Sequence, residues 1–284
     1  MIPFDRNKHI EGINRNWVSE NKVDKKNEYI DLNTINLDLD IPLYRIMSFE
    51  RLLEILDEKK LFMVHPTCWD DPYEAFLMRS PGIGKFGIVG FEQILSSIYG
   101  LCFSMKEECD GLWRNYSCNS CKNCSKSDWK KRNNKPLITV KVKTTGRKLM
   151  NAFYDIENDF HSLNYWIGKV DYSTDKISEF IGSGIEMITD STACNLVESL
   201  LVKREAFEYE EEVRLIYVTD STKNDSDIYS FPIEPNEVFD EIEFSPWTPE
   251  DDIDRLINRV KSKYQGKISK SKLYDYPNIR IKVD

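Results

Sequence analysis

Three carboxylates and an arginine recur at every second residue in the stretch Lys203–Val218, KREAFEYEEEVRLIYV. Read with a period of two, Glu208, Glu210, Glu212 and Arg214 share one face. Phe207, Tyr209, Val213, Leu215 and Tyr217 share the other, interrupted only by Glu211. Such alternation predicts a strand across the whole stretch. Carboxylates on one face of a strand stand roughly 7 Å apart. Like charges that close raise the proton affinity of at least one of them. The residues leave two readings open: a solvated edge face with a surface ion pair, or a carboxylate site on a rigid strand.

A second constellation is sulfur-rich. Cys109, Cys118, Cys121 and Cys124 are spaced C-x8-C-x2-C-x2-C. Four thiolates are the right number and type for structural zinc; the tight C-x2-C-x2-C run also has the form of iron–sulfur ligation. A bare reduced loop is the remaining alternative. The same segment carries Lys126, Trp129, Lys130, Lys131 and Arg132, a basic patch with one aromatic that suits nucleic acid if it is more than a solvated loop. Asp70, Asp71 and Glu74 offer oxygen ligands for a divalent cation, or a turn held by carboxylate–backbone hydrogen bonds. Gly82, Gly84 and Gly87 have G-x-G-x-x-G spacing but no preceding strand signal, so a dinucleotide fingerprint is set aside.

The totals narrow the classes. A chain of 284 residues with 40% hydrophobic content can bury a sizeable core, and its net charge of −9 argues against broad basic binding of duplex nucleic acid. No apolar run reaches membrane-spanning length and the first residues lack a secretory apolar stretch. With seven cysteines, an odd number, this points to a cytoplasmic, reducing setting. His9, His65 and His161 are the only histidines, which thins out Ser–His and Cys–His mechanisms.

The elements that would position these groups begin at residue 41. Residues 1–40 read as a polar N-terminal extension with Trp17 and Ile30 as candidate anchors. Residues 41–284 read as one α+β domain with a Cys/Lys-rich insert at about 106–135. Pro42–Met47 predicts a strand, with Ser48 capping a helix whose apolar residues Phe49, Leu52, Leu53 and Leu56 keep helical spacing. Further strands are expected at Leu61–Val64, Tyr99–Met105, Leu137–Val142, Tyr165–Tyr172, Tyr229–Ile233, Glu241–Phe244 and Ile279–Val283. Helices are expected at Gly90–Ile98, Gly146–Tyr154, Thr192–Val202 and Pro249–Val260. Short strands and helices without a βαβ rhythm give short mixed or antiparallel sheets with flanking helices.

Several of these pieces, in their order, resemble the bacterial domain-of-unknown-function family 2971. They are Leu43-Tyr44-Arg45, Trp69-Asp70-Asp71-Pro72-Tyr73-Glu74, Cys102-Phe103-Ser104, Trp113-x-x-Tyr116, and Lys203…Phe207-x-x-Glu210-x-Glu212-x-Arg214. The Cys-rich insert and the first forty residues depart from that pattern. The order Arg45…Ser104…Glu210-x-Glu212 is also similar to the Arg…Ser…Glu-x-Glu arrangement of ADP-ribosyltransferases. That looser resemblance implies a split-sheet core, NAD as substrate, Glu212 as the catalytic carboxylate and Glu210 as the acceptor-side one, with Arg214 beside them. It implies Arg45 and Ser104 as NAD-binding groups, with Tyr44, Trp113 or Tyr116 stacking on a ring. Simpler alternatives stand beside these roles: a structural ion pair with Glu210 or Glu212 for Arg45, an ordinary strand serine for Ser104, and core aromatics three apart on a helical turn for Trp113 and Tyr116.

The expectation is therefore an NAD-consuming bacterial effector, a toxin or defence protein acting on a nucleic-acid or protein acceptor. The alternative is a non-enzymatic binding module whose metal-stapled basic loop recognises a partner.

Overall fold

The computed structural model describes residues 3–16, 25–69, 71, 73–74, 79–84, 87–90, 97–119, 137–183, 192–219, 228–277 and 279. The chain forms two compact units. The first comprises Met1–Leu43, Lys60–Lys106 and Thr145–Glu234; the second comprises Tyr44–Lys59, Glu107–Thr144 and Pro235–Asp284. Its strands, in chain order, are β1 (Thr34–Ile35), β2 (Pro42–Ser48), β3 (Lys60–Val64), β4 (Gly82–Gly84), β5 (Gly87–Val89), β6 (Ile98–Ser104), β7 (Thr139–Thr145), β8 (Tyr165–Lys169), β9 (Glu212–Val218), β10 (Ile228–Pro232), β11 (Glu241–Phe244) and β12 (Lys267–Lys270). Mixed sheets with flanking helices make this an α+β protein.

In the first unit the order is β1-β8-β9-β6, with β3 paired to β6 and β10 to β3. β9 lies between β8 and β6 and is antiparallel to both, while β1 runs parallel to β8. A strand with a neighbour on each side is no edge. All residues from Glu212 to Tyr217 are buried, so both faces of β9 meet protein. Val213, Leu215 and Tyr217 form one face, and Tyr217 packs against Tyr165, Tyr229, Phe153 and Tyr99. On the other face Ile216 joins Ile35, Ile98, Trp166, Val197 and Leu201 in an apolar core. Glu212 and Arg214 sit at one end of that second face.

The N-terminal residues belong to this unit. Arg6–Asn16 and Lys26–Leu32 are helices, Ile30 is fully buried, and the His9 ring lies 4.8 Å from that of Trp166. Trp17 lies outside the described residues.

The second unit has the order β2-β7-β11-β12. Its helix Phe49–Glu58 is capped as the sequence predicts, the Ser48 hydroxyl accepting the Arg51 N–H at 3.1 Å. Buried in its sheet is Lys141, paired with Glu243 at 2.5 Å and with its ammonium over the rings of Tyr44 and Trp113 at 5.6 and 5.5 Å.

Expectation and structure part at several places. The strand expected over Lys203–Val218 begins only at Glu212. Glu205–Glu210 is a 3-10 helix, and Glu211 turns the chain with φ 41°, ψ 55°. That left-handed conformation is disfavoured for a residue with a Cβ. It is held by the Glu211 N–H on the Glu208 carbonyl, the Met105 N–H on the Glu211 carbonyl and a 2.6 Å pair with Lys106. Phe207 and Tyr209 therefore do not share a strand face with Val213. The strand expected to reach Tyr172 ends at Lys169, and the helix expected over Thr192–Val202 is only Cys194–Ser199. The hairpin β4–β5 occupies the glycine run that carried no strand signal before it, and the helical turn of Trp113 and Tyr116 belongs to a longer helix, Asp110–Asn119. Most of the expected helix at 90–98 and strand at 279–283 lies outside the described residues.

One close approach ties the first unit's sheet to the segment that follows β3. A Cβ built on Gly100 in β6 would come within 2.4 Å of the Trp69 ring. Gly100→Ala should push Trp69 off the sheet and cost about 1–3 kcal/mol, read as a lowered denaturation midpoint with an altered near-UV tryptophan signal.

Candidate carboxylate site

The site grows from one buried arginine. Arg214 is 0% exposed, and a guanidinium that deep must have its donors satisfied. Nε and Nη2 grip both oxygens of Glu212 at 2.9 Å, Nη2 also reaches Glu74 at 2.6 Å, and Nη1 donates to the Leu200 carbonyl at 2.6 Å. The Trp69 ring covers it at 4.3 Å. Lys203 supplies the second cation. Its ammonium lies 2.6 Å from Glu210, 3.1 Å from Glu212 and 3.1 Å from Glu74. A third cation, Arg204, forks onto Asp71 at 3.1 and 2.7 Å and stacks 4.5 Å from the Tyr73 ring.

The segment Trp69–Glu74 and the segment Lys203–Arg214 thus form one charge cluster. Among the residues facing one another here, Glu74, Glu210, Glu212 and Asp71 meet Lys203, Arg204 and Arg214. Asp71 is occupied by Arg204, and Glu74 by Arg214 and Lys203. Asp71 also accepts the Tyr73 N–H at 3.0 Å, in keeping with the turn reading for that residue. Asp70 lies outside the described residues.

Two carboxylates two residues apart are pushed in opposite directions. Burial opposes charge on Glu212, but Arg214, Lys203 and a hydrogen bond from the Cys102 thiol outweigh it and hold its carboxyl down at about 2. Burial pushes the Glu210 carboxyl above the ordinary range, against the pull of Lys203. Burial opposes charge on Lys203 as well, yet Glu212, Glu74 and Glu210 together raise its affinity for a proton. At neutral pH this leaves Glu212 a fixed anion and Glu210 the group that exchanges a proton more readily. Divergent environments on adjacent carboxyls are what acid–base chemistry uses.

The surroundings hold these groups in place. Ser104 in β6 is paired in register with Glu212; its hydroxyl donates to the Glu210 carbonyl at 2.5 Å and accepts the Lys106 N–H at 3.0 Å. The Tyr172 hydroxyl accepts the Glu212 N–H at 2.8 Å. Tyr172 also lines an open cleft of about 580 Å³ with Lys169, Asp171, Asp175, Glu205 and Glu208.

Of the residues expected at the site, Ser104, Glu210, Glu212 and Arg214 come together in the first unit. Arg45, Tyr44, Trp113 and Tyr116 belong to the second. There Tyr44 and Trp113 are buried, and the Trp113 indole N–H donates to Glu108. Tyr116 is exposed and Arg45 half-buried. Lys203, Arg204 and Tyr172 were not anticipated as site residues, and Glu74 only as an oxygen ligand for a cation or a turn carboxylate. Lys203 and Glu74 stood within the quoted motifs, and an uncompensated run of glutamates was the available signal that buried cations must lie near.

Cys109 is a half-buried free thiol. Cys121, Cys124 and the Cys118 side chain lie outside the described residues, as do Lys126, Trp129, Lys130, Lys131 and Arg132. Among the described residues no group of three or more His, Cys, Asp or Glu is placed to hold a metal ion, and no helix is long and apolar enough to cross a membrane.

No family model and no curated protein matches the chain, so the family-2971 resemblance has only its motif residues behind it. Solved structures to which the chain is similar include Thermus sp. 2.9 DarT in complex with NAD+, at 12% identity and a TM-score of 0.37 over 85% of this chain and all of that one. The complex with carba-NAD+ gives 11% and 0.36, over 84% of this chain and all of that one. The complex with ADP-ribosylated ssDNA gives 12% and 0.37, over 83% and 96%. Similarity at that level fixes neither fold nor chemistry, and the functional reading stands on the residues of the site.

The opposed shifts have opposed consequences for stability. Glu212 titrates near 2 in the fold against an ordinary 4.5. Its contribution is complete above about pH 4.5 and disappears as pH falls towards 2. Glu210 is raised, so its ionisation weakens the fold as pH rises through its folded value. In urea denaturation at pH 7, Glu212→Gln should destabilise strongly, whereas Glu210→Gln should be neutral or stabilising. Arg214→Met, which strands Glu212 and Glu74, should cost about 3–5 kcal/mol.

Proposed function

We propose that the chain is an NAD-consuming, ADP-ribosyltransferase-like enzyme whose chemistry is centred on Glu212 and Glu210. The observation that supports this is the pair itself: one carboxylate locked as an anion, its neighbour raised, both on the ammonium of Lys203 and adjoining a cleft through Tyr172. Breaking the nicotinamide–ribose bond sends the bonding electron pair to nicotinamide and leaves oxocarbenium character on the sugar. A fixed anion such as Glu212 stabilises that positive charge without reorganising. Glu210 takes the proton from the acceptor as its oxygen or nitrogen forms the new bond to the ribose carbon. Arg214 and Lys203 act through Glu212 as positioning residues, and Ser104 holds the Glu210 backbone.

The NAD-holding roles of Arg45, Tyr44, Trp113 and Tyr116 remain part of the proposal on the resemblance alone. Of the three aromatics, Tyr116 is the exposed one. A nucleic-acid or protein acceptor and a toxin or defence role belong to the same proposal.

A second reading is favoured by the burial of Glu212, which is 5% exposed and neutralised by two cations. There the cluster is a structural clasp and the protein a binding module.

Nicotinamide release from NAD separates the two. The enzymatic reading expects Glu212→Gln to lower release by about 100- to 1,000-fold at a pH where the variant is shown to be folded. It expects Glu210→Gln to remove acceptor labelling while sparing much of the NAD hydrolysis. With Glu210 raised, transfer should climb with pH through a limb above the ordinary carboxylate range. No nicotinamide release by the wild type, across acceptors, leaves the clasp reading.

A further inference from the structure

A second cavity of the first unit, about 760 Å³, is lined by none of the residues of the charge cluster. Its walls come from the start of the helix Arg6–Asn16, the helix Lys26–Leu32, the segment 34–40 and Arg147 at the start of the helix Gly146–Phe153. That volume falls within the roughly 300–1,000 Å³ of pockets that hold a small organic molecule. Part of the lining is hydrocarbon, from Phe4, Leu32, Leu37 and Leu39. An apolar body laid against these side chains leaves water, which favours binding.

The walls are held by the fold itself. The Phe4 N–H donates to the Asn36 side-chain oxygen at 2.9 Å, and its ring packs against the core that contains Trp166 and Ile216. Arg6 pairs with Glu198 at 2.5 Å, and the Arg147 N–H donates to the Leu39 carbonyl at 2.8 Å. A cavity whose sides are already fixed takes a ligand at little ordering cost.

The polar part of the lining is a set of acceptors. Asp5, Glu28, Asp31, Asp38 and Asp40 are set against only two cations, Lys8 and Arg147. Arg147 is committed to Asp31 at 2.8 Å and Asp40 at 3.5 Å. Asp5 accepts the N–H groups of Asn7 and Lys8, and Asp38 that of Asp40. Such bonds hold a carboxylate in place without cancelling its charge, so Lys8 is left to balance Asp5, Glu28 and Asp38. His9, 1% exposed, also lines the cavity and donates from Nδ1 to the Leu32 carbonyl at 2.9 Å. In the neutral ring its other nitrogen is then one more acceptor. A lining of this kind repels phosphates and carboxylates.

We propose that this cavity binds a small organic cation, an ammonium or guanidinium carried on an aliphatic or aromatic body. The charge sits among Asp5, Glu28 and Asp38, and the body lies on Phe4, Leu32, Leu37 and Leu39. The site stands whether or not the carboxylate pair at Glu210 and Glu212 is catalytic.

Three indoles of nearly one shape test this on the full chain: tryptamine, a cation at neutral pH, tryptophol, which is neutral, and indole-3-acetate, an anion. Binding is followed by NMR of leucine methyl groups. Tryptamine is expected to bind saturably in the millimolar range or tighter and to shift Leu32, Leu37 and Leu39. Tryptophol should bind more weakly and indole-3-acetate not at all. Methylammonium, a cation with no body, should be at least about 10-fold weaker than tryptamine. Glu28→Gln should weaken tryptamine about 2- to 5-fold and Lys8→Gln should strengthen it by a similar factor. Both side chains are exposed, so both variants keep the wild-type melting profile. Added salt should lower the affinity. The proposal is overturned by no saturable tryptamine binding, by tryptophol or indole-3-acetate binding as tightly, by shifts confined to other leucines, or by an affinity that neither substitution moves.

Discussion

A guanidinium withdrawn entirely from water governs the first unit. Arg214 lies in the central strand, where β-branched and aromatic neighbours bury both faces, and hydration lost there has to be replaced by fixed partners. Glu212, two residues away on the same face, is one; Glu74, 140 residues earlier in the chain, is another. The consequence is long-range. The turn that carries Glu74 is drawn to β9, Trp69 is laid over the guanidinium and against Gly100, and Lys203 completes the charge balance. Replacing Arg214 leaves Glu212 and Glu74 buried without their guanidinium, so these three members depend on one another.

That arrangement explains how two like charges coexist so near each other. Coulomb repulsion between Glu210 and Glu212 is offset by Lys203 between them, but the cations are not shared evenly. Glu212 has Arg214 in a two-toothed grip as well; Glu210 has only the ammonium. Uneven pairing, rather than burial alone, divides the two carboxyls into a permanent anion and a proton-exchanging group. The chemistry open to the site follows from that division.

Much of this was legible in the residues, and the gaps have physical causes. Ser48 before Phe49-x-x-Leu52-Leu53 announced a capped helix because capping and amphipathic spacing are local. The alternation of Glu212 and Arg214 was likewise local and correctly placed them on one face. The break at Glu211 was not legible: nothing but glycine or asparagine usually signals a left-handed residue, and here contacts from Met105 and Lys106 impose it. An edge face was one open reading of the acidic strand because sequence shows alternation, not neighbours; β6 and β8 on either side make it central. Lys203 carried no role beyond its place in a motif, and Trp69–Glu74 read as a turn, because their partnership spans a separation that no local pattern encodes. The grouping of Tyr44, Trp113, Arg45 and Glu212 in one site, as stacking, NAD-binding and catalytic residues, came from resemblance, and the structure distributes them between two units.

The most direct test of the account is a carboxyl-carbon NMR titration of the glutamates, with Glu210 and Glu212 assigned by substitution. The account predicts that Glu212 stays ionised down to about pH 2 while Glu210 takes up its proton above the ordinary glutamate range. Indistinguishable titrations near 4.5, or Glu212 protonating first as pH is lowered, would contradict it.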